Sequence, residues 1–73
     1  MYRISADPRA VASAKKVIDG LENCLERKKL SDISVSEVCR LSGVGRATFY
    51  RLFDTPIDVL QYHSDLLRRQ RRS

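Results

Sequence analysis

No stretch of this chain is apolar over the roughly 20 residues that a membrane span needs, and no charged and apolar leader precedes a cleavage site. Neither membrane insertion nor secretion is expected. Cysteine is scarce: Cys24 and Cys39 stand on two different expected helices, each at an apolar position. That pattern reads as two buried thiols packing as small hydrophobes. Histidine occurs once, at His63. One histidine and two isolated cysteines cannot supply the four ligands of a structural zinc site, so no metal is expected. The same scarcity leaves no nucleophile–histidine–acid set, and no motif pairs two carboxylates. Neither catalysis nor a cofactor is expected. Internal repeats, sustained strand-like alternation and low-complexity segments are also missing.

What the chain does have is basic charge. Fourteen Lys and Arg stand against nine Asp and Glu, a net +5 and a pI near 9.7. A small basic domain favours a polyanionic partner, most often nucleic acid. The 73 residues suit one domain, near the lower limit for a core that folds without metal or disulfides, and 42% of them are apolar.

Helical spacing runs through most of the sequence. Asp7 and Pro8 read as an N-cap and a first helical position, and Val11, Ala14, Ile18, Leu21 and Leu25 then recur on one face, with Val17 and Cys24 beside them. A helix over about 8–28 is expected. Gly20 lowers its propensity by about 1 kcal/mol, a cost that close approach of another helix would explain. Leu30 and Ile33 read as core plugs from a loop. "SVSE", residues 34–37, is a capping box. It opens a helix over 35–42 with Val38, Cys39 and Leu41 inward, stopped by Gly43 in a left-handed conformation. A third helix is expected over 46–53, with Phe49, Tyr50 and Phe53 as its apolar edge. Thr55 caps a fourth over 56–70, with Pro56 at its first position, Asp58 near its positive end, and Val59, Leu60, His63, Leu66 and Leu67 at helical spacing. "RRQRRS", residues 68–73, reads first as a solvated, fraying end, with nonspecific attraction to phosphates as the second reading.

The segment "GVGRATFYRLF", residues 43–53, has two readings. A phosphate cradle would need a preceding strand and a richer glycine pattern, yet here a capped helix comes first. A small residue at Cys39, Gly four positions on and Phe49 six further, with Val38 and Val44 inward, is the spacing of a helix-turn-helix. Gly43 then turns the chain, Phe49 anchors the second helix, and Gly45 leaves that helix's start open to a phosphate. The free face carries Arg46, Ala47, Tyr50 and Arg51 and would enter a major groove. Arg bonds guanine bidentately and Ala touches a thymine methyl, so Arg46, Ala47 and Arg51 are the candidate base contacts. Ser34, Ser36, Thr48, Tyr50 and Thr55 are the candidate phosphate contacts. For Ser34 and Thr55 capping comes first. Thr48 is divided between phosphate and local bonding, and Tyr50 also reads as a core-edge aromatic. For Arg3 and Arg9, before and at the start of the first helix, an N-terminal arm reaching a minor groove or a backbone is a secondary reading.

At these residues the chain resembles the DNA-binding domain of TetR-family transcriptional regulators, a homeodomain-like bundle of about four helices. The resemblance spans about residues 8–67 and is strongest in "ISVSEVCRLSGVGRATFYRLF", similar to the family's Thr-rich helix start, Ile-Ala, Ala-Gly-Val, Thr-Leu-Tyr and closing Phe. "VIDGLENCLERKKL" resembles the family's first helix. Three positions depart from the pattern. Lys29 stands where the first helix usually ends in glycine, Leu52 where His often precedes the closing Phe, and Pro56 where a phosphate-gripping Lys is common. The resemblance implies an all-α fold and double-stranded DNA as partner, bound as one half-site of a palindromic operator. It also implies a bacterial, cytoplasmic repressor whose parent is a homodimer. The family's larger effector and dimerisation domain has no counterpart in these 73 residues, so this chain alone is expected to be a monomer. The competing expectation is a helix-turn-helix reused to bind another protein, which would suit the loss of phosphate contacts at Leu52 and Pro56.

Overall fold

A computed structural model describes residues 2–71, with side chains through Arg69. It is an all-α bundle: α1 (Pro8–Leu25), a 3₁₀ turn (Leu30–Asp32), α2 (Val35–Ser42), α3 (Arg46–Leu52) and α4 (Pro56–Arg71). Among the described residues no helix is long and apolar enough to cross a membrane.

Local chemistry sets each boundary. The Asp7 carboxylate accepts the Arg9 amide at 2.8 Å and Pro8 follows it, which starts α1. The helix ends at Leu25, short of 28. The Arg27 and Lys28 amides both bond the Cys24 carbonyl, at 3.0 and 2.9 Å, so the last turn tightens with no glycine to reverse the chain. Lys29 is the extended residue from which the 3₁₀ turn leaves. The Ser34 hydroxyl accepts the Glu37 amide at 3.2 Å, and the Glu37 carboxylate reaches back to the Ser34 amide. That is the capping box in full. Gly43 ends α2 with φ 74°, a conformation that costs a residue with a Cβ about 1–2 kcal/mol.

The core is one cluster built around Phe49, Phe53, Leu21, Val17, Val38 and Val59, all fully buried. α1 lies chiefly along α2 and also touches α3 and α4. The α1–α2 contact is close because Gly20 permits it: a Cβ there would lie 2.8 Å from the Ser42 Cβ and 2.9 Å from the Val38 carbonyl oxygen. Ile33 is buried and Leu30 half-buried against the cluster, as core plugs should be. Both cysteines are buried and free. Burial pushes both thiols above their ordinary pKa, which keeps them protonated and inert.

Two apolar side chains face outward instead of inward. Leu41 is 37% exposed, because Val38 and Ser42 form the face turned to α1 and leave Leu41 at its margin. Leu67 is 44% exposed on a groove between α1 and α4, whose walls also include Lys15, Asp19 and His63.

The N-terminal segment closes the far side of the core. Tyr2 pairs with Phe53 in an isolated bridge, and the Arg3 amide bonds the Leu52 carbonyl at 2.7 Å. This pairing holds Phe53 extended, with φ −136° and ψ 157°, so α3 stops one residue early at Leu52. The Tyr2 ring packs on buried Tyr62 with centroids 5.0 Å apart, and its hydroxyl donates to Asp65.

Candidate nucleic-acid interface

α3 divides sharply into two faces. Phe49, Leu52 and Phe53 fall on one side of a 3.6-residue turn and are all buried. The opposite side carries, in angular order, Arg46, Tyr50, Ala47 and Arg51, all exposed, then half-buried Thr48 at the far edge. The α2–α3 turn fixes this orientation. The Gly43 amide bonds the Cys39 carbonyl at 2.9 Å, and the Ser42 hydroxyl donates to the same carbonyl while accepting the Val44 amide, each at 3.2 Å. Val44 is tucked into the core between the two glycines.

The candidate residues sort by edge. Along the α2 edge the Arg46 guanidinium donates to the Ser36 hydroxyl, so a base-contact and a phosphate-contact candidate meet. Ser34, the N-cap two residues before Ser36, has its hydroxyl engaged in the capping box. Glu37, the next residue after Ser36, is ion-paired with Lys28 at 2.7 Å. That ammonium, helped by bonds from Ser34, holds the Glu37 carboxyl below its ordinary pKa. Tyr50 is 51% exposed; its ring meets Phe49 edge-on at 5.4 Å, and no hydrogen bond holds its hydroxyl among the described residues. It is therefore both a core-edge aromatic and an available donor.

Along the opposite edge Thr48 and Arg51 face the start of α1. With Ser5, Asp7, Arg9, Ala10 and Ser13 they line a cleft of about 440 Å³ floored by Leu52. Arg51 has no hydrogen bond or ion pair among the described residues. Arg9 is nearly fully exposed and lies 3.7 Å from Asp7. The clustering of Arg9, Ser5 and Ser13 with α3 escapes sequence reading because they come from a segment some forty residues earlier. The only trace is that Arg9 and Ser13 stand four apart on one face of α1.

Thr55 stands apart from this group. The Asp58 carboxylate accepts the Thr55 amide at 2.9 Å and the Asp54 amide at 3.1 Å, while the Thr55 hydroxyl accepts the Asp58 amide at 3.4 Å. Thr55 is a cap whose amide is committed inward, and two aspartates flank it. Arg3 is also committed. Its guanidinium bonds both Asp54 oxygens, at 3.1 and 3.3 Å, and the Tyr50 carbonyl at 2.8 Å. It holds the Asp54 carboxyl below its ordinary pKa and fastens the end of α3 instead of reaching outward as an arm. In "RRQRR", Arg68 pairs with Asp65, and residues 72 and 73 lie outside the described residues.

No protein-family model, curated protein or solved structure matches the chain.

Proposed function

We propose that this chain is a sequence-reading, double-stranded DNA-binding domain of TetR type, with α2 and α3 as its helix-turn-helix and α3 lying in the major groove. In this reading Arg46, Ala47 and Arg51 contact base edges. Ser34, Ser36, Thr48 and Tyr50 set the register on phosphates, and Thr55 serves chiefly as a cap. The parent regulator is a bacterial, cytoplasmic repressor that dimerises on a palindromic operator, and this chain alone engages one half-site.

The observation that carries the reading is the two-faced character of α3. Its aromatic side is locked in the core, while its outer side gathers two arginines, a tyrosine hydroxyl and a small apolar residue around one exposed ridge. A helix with side chains is about 10–12 Å across, which fits a major groove of about 12 Å. Glu37, on the same helix as Ser36, is ion-paired with Lys28, which reduces its repulsion of a phosphate.

Fluorescence-anisotropy titration of labelled random-sequence duplex over a salt series tests the reading. Affinity should fall linearly on a log–log plot against salt, as counterion release requires, and Arg46→Ala and Arg51→Ala should each weaken it. Absence of binding at low salt, with all three proteins folded, would sink the DNA reading and favour a protein partner.

A further inference from the structure

A helix lying in a major groove runs between two phosphate backbones, so each of its long edges faces one of them. The α2 edge of α3 meets its backbone with Ser36 and Arg46. The other edge opens into the 440 Å³ cleft at the start of α1. We infer that this cleft is a second phosphate-binding site, in which the Arg9 guanidinium and the hydroxyls of Ser13 and Thr48 hold a phosphate oxyanion. The inference rests on the DNA reading, because duplex DNA is the phosphate source that brings α3 and the cleft to one ligand.

Three features of the cleft support it. Its charged lining is two arginines and one aspartate, so its net charge is positive. The aspartate is engaged with the protein itself: one oxygen accepts the Arg9 amide at 2.8 Å as the α1 cap and lies 3.7 Å from the Arg9 Nε, on a guanidinium that is nearly fully exposed. The hydroxyls come from two helices, Ser13 from α1 and Thr48 from α3, on a wall that Leu52 closes from behind. Leu52 is buried, Pro56 has no N–H and the Thr55 amide is already bonded to Asp58, so none of the three donates to a phosphate at the end of α3. The α1 cleft offers donors at the side of the helix instead.

The full chain is tested with charge-matched pairs, each variant verified as folded by circular dichroism. Arg9→Ala is paired with Lys15→Ala, and Asp7→Asn with Asp19→Asn; Lys15 and Asp19 line the separate α1–α4 groove. Asn caps a helix about as well as Asp, so Asp7→Asn keeps the start of α1 while removing the cleft's only carboxylate. In the salt series, Arg9→Ala should weaken duplex binding roughly fivefold and flatten the log–log slope by about 1, as loss of one phosphate contact does. Lys15→Ala should leave the slope in place. Asp7→Asn should tighten binding more than Asp19→Asn, a gain that misfolding cannot imitate. Inorganic phosphate, followed by amide chemical shifts, should move Arg9, Ser13 and Thr48.

If the wild type binds duplex but Arg9→Ala and Asp7→Asn behave like their controls, the cleft proposal is overturned and the DNA reading stands. If duplex does not bind while phosphate still shifts the cleft residues, the DNA reading fails and the site takes free phosphate. Failure of both titrations removes both.

Discussion

The two ends of α3 are built on opposite electrostatic plans. At its start, Arg46 projects with Ser36 beside it, and the neighbouring Glu37 is held by Lys28. At its end, the buried Asp58 carboxylate gathers the Asp54 and Thr55 amides, and Arg3 folds across to bond the Asp54 carboxylate and the Tyr50 carbonyl. The first end presents an outward guanidinium, and at the second end the acids are engaged by donors of the protein itself. In a helix of seven residues that contrast sets a direction of approach, because a polyanion meets a projecting guanidinium at the start and exposed Arg51 along the side, but acids already engaged within the protein past the end. Recognition helices commonly read bases with their N-terminal residues, and this charge distribution fits that mode.

The contrast depends first on the anchor. Phe49 is fully buried between the two ends, and Phe49→Ala should cost about 3–5 kcal/mol, enough to leave so small a domain largely unfolded in urea titration. The next largest effect is expected at the α1–α2 contact. Gly20→Ala gains helix propensity but drives a methyl against the Ser42 Cβ and a backbone carbonyl, so the net effect should be destabilising by about 1–3 kcal/mol. A rise in the denaturation midpoint would contradict the close approach.

Arg46→Ala and Arg3→Ala compare the two ends directly. Arg46→Ala should lose about 1–3 kcal/mol of duplex affinity with little change in stability. Arg3→Ala should lower the thermal midpoint and leave affinity nearly intact once folding is corrected for. The smallest effect expected is the response to acid. Asp54 and Glu37 have folded pKa values below their unfolded ones, the first chiefly through Arg3 and the second chiefly through Lys28. Their stabilisation is complete above the unfolded values near pH 4 and is lost as pH falls through the folded values. Arg3→Ala should flatten that acid loss, measured as thermal midpoint between about pH 5 and pH 2.

Much of the fold can be read from short-range signals. Asp7-Pro8, the Ser34–Glu37 box, Gly43 and Thr55 each act within four residues, and the structure has a helix start or stop at each. Gly20 announces a close neighbour by its cost alone. What escapes is long-range. Tyr2 and Arg3 carry no periodic pattern, yet they meet Phe53, Asp54, Tyr62 and Asp65 more than fifty residues away. Tyr62 goes unnoticed because the apolar stripe of α4 looks complete without it. Leu41 and Leu67 fit a helical period but sit at the margin of their faces, where one position decides burial. For the candidate site, the outer face of α3 follows from spacing, whereas the occupied Thr55 amide and the α1 cleft depend on tertiary contacts.

The most direct test of the contrast is amide chemical-shift mapping of the full chain on addition of duplex DNA. The account predicts the largest shifts at residues 46–51 and around Ser34 and Ser36, with residues 54–58 nearly still. Shifts concentrated instead at the α1–α4 groove around His63 and Leu67, or at Asp54 and Asp58, would contradict it.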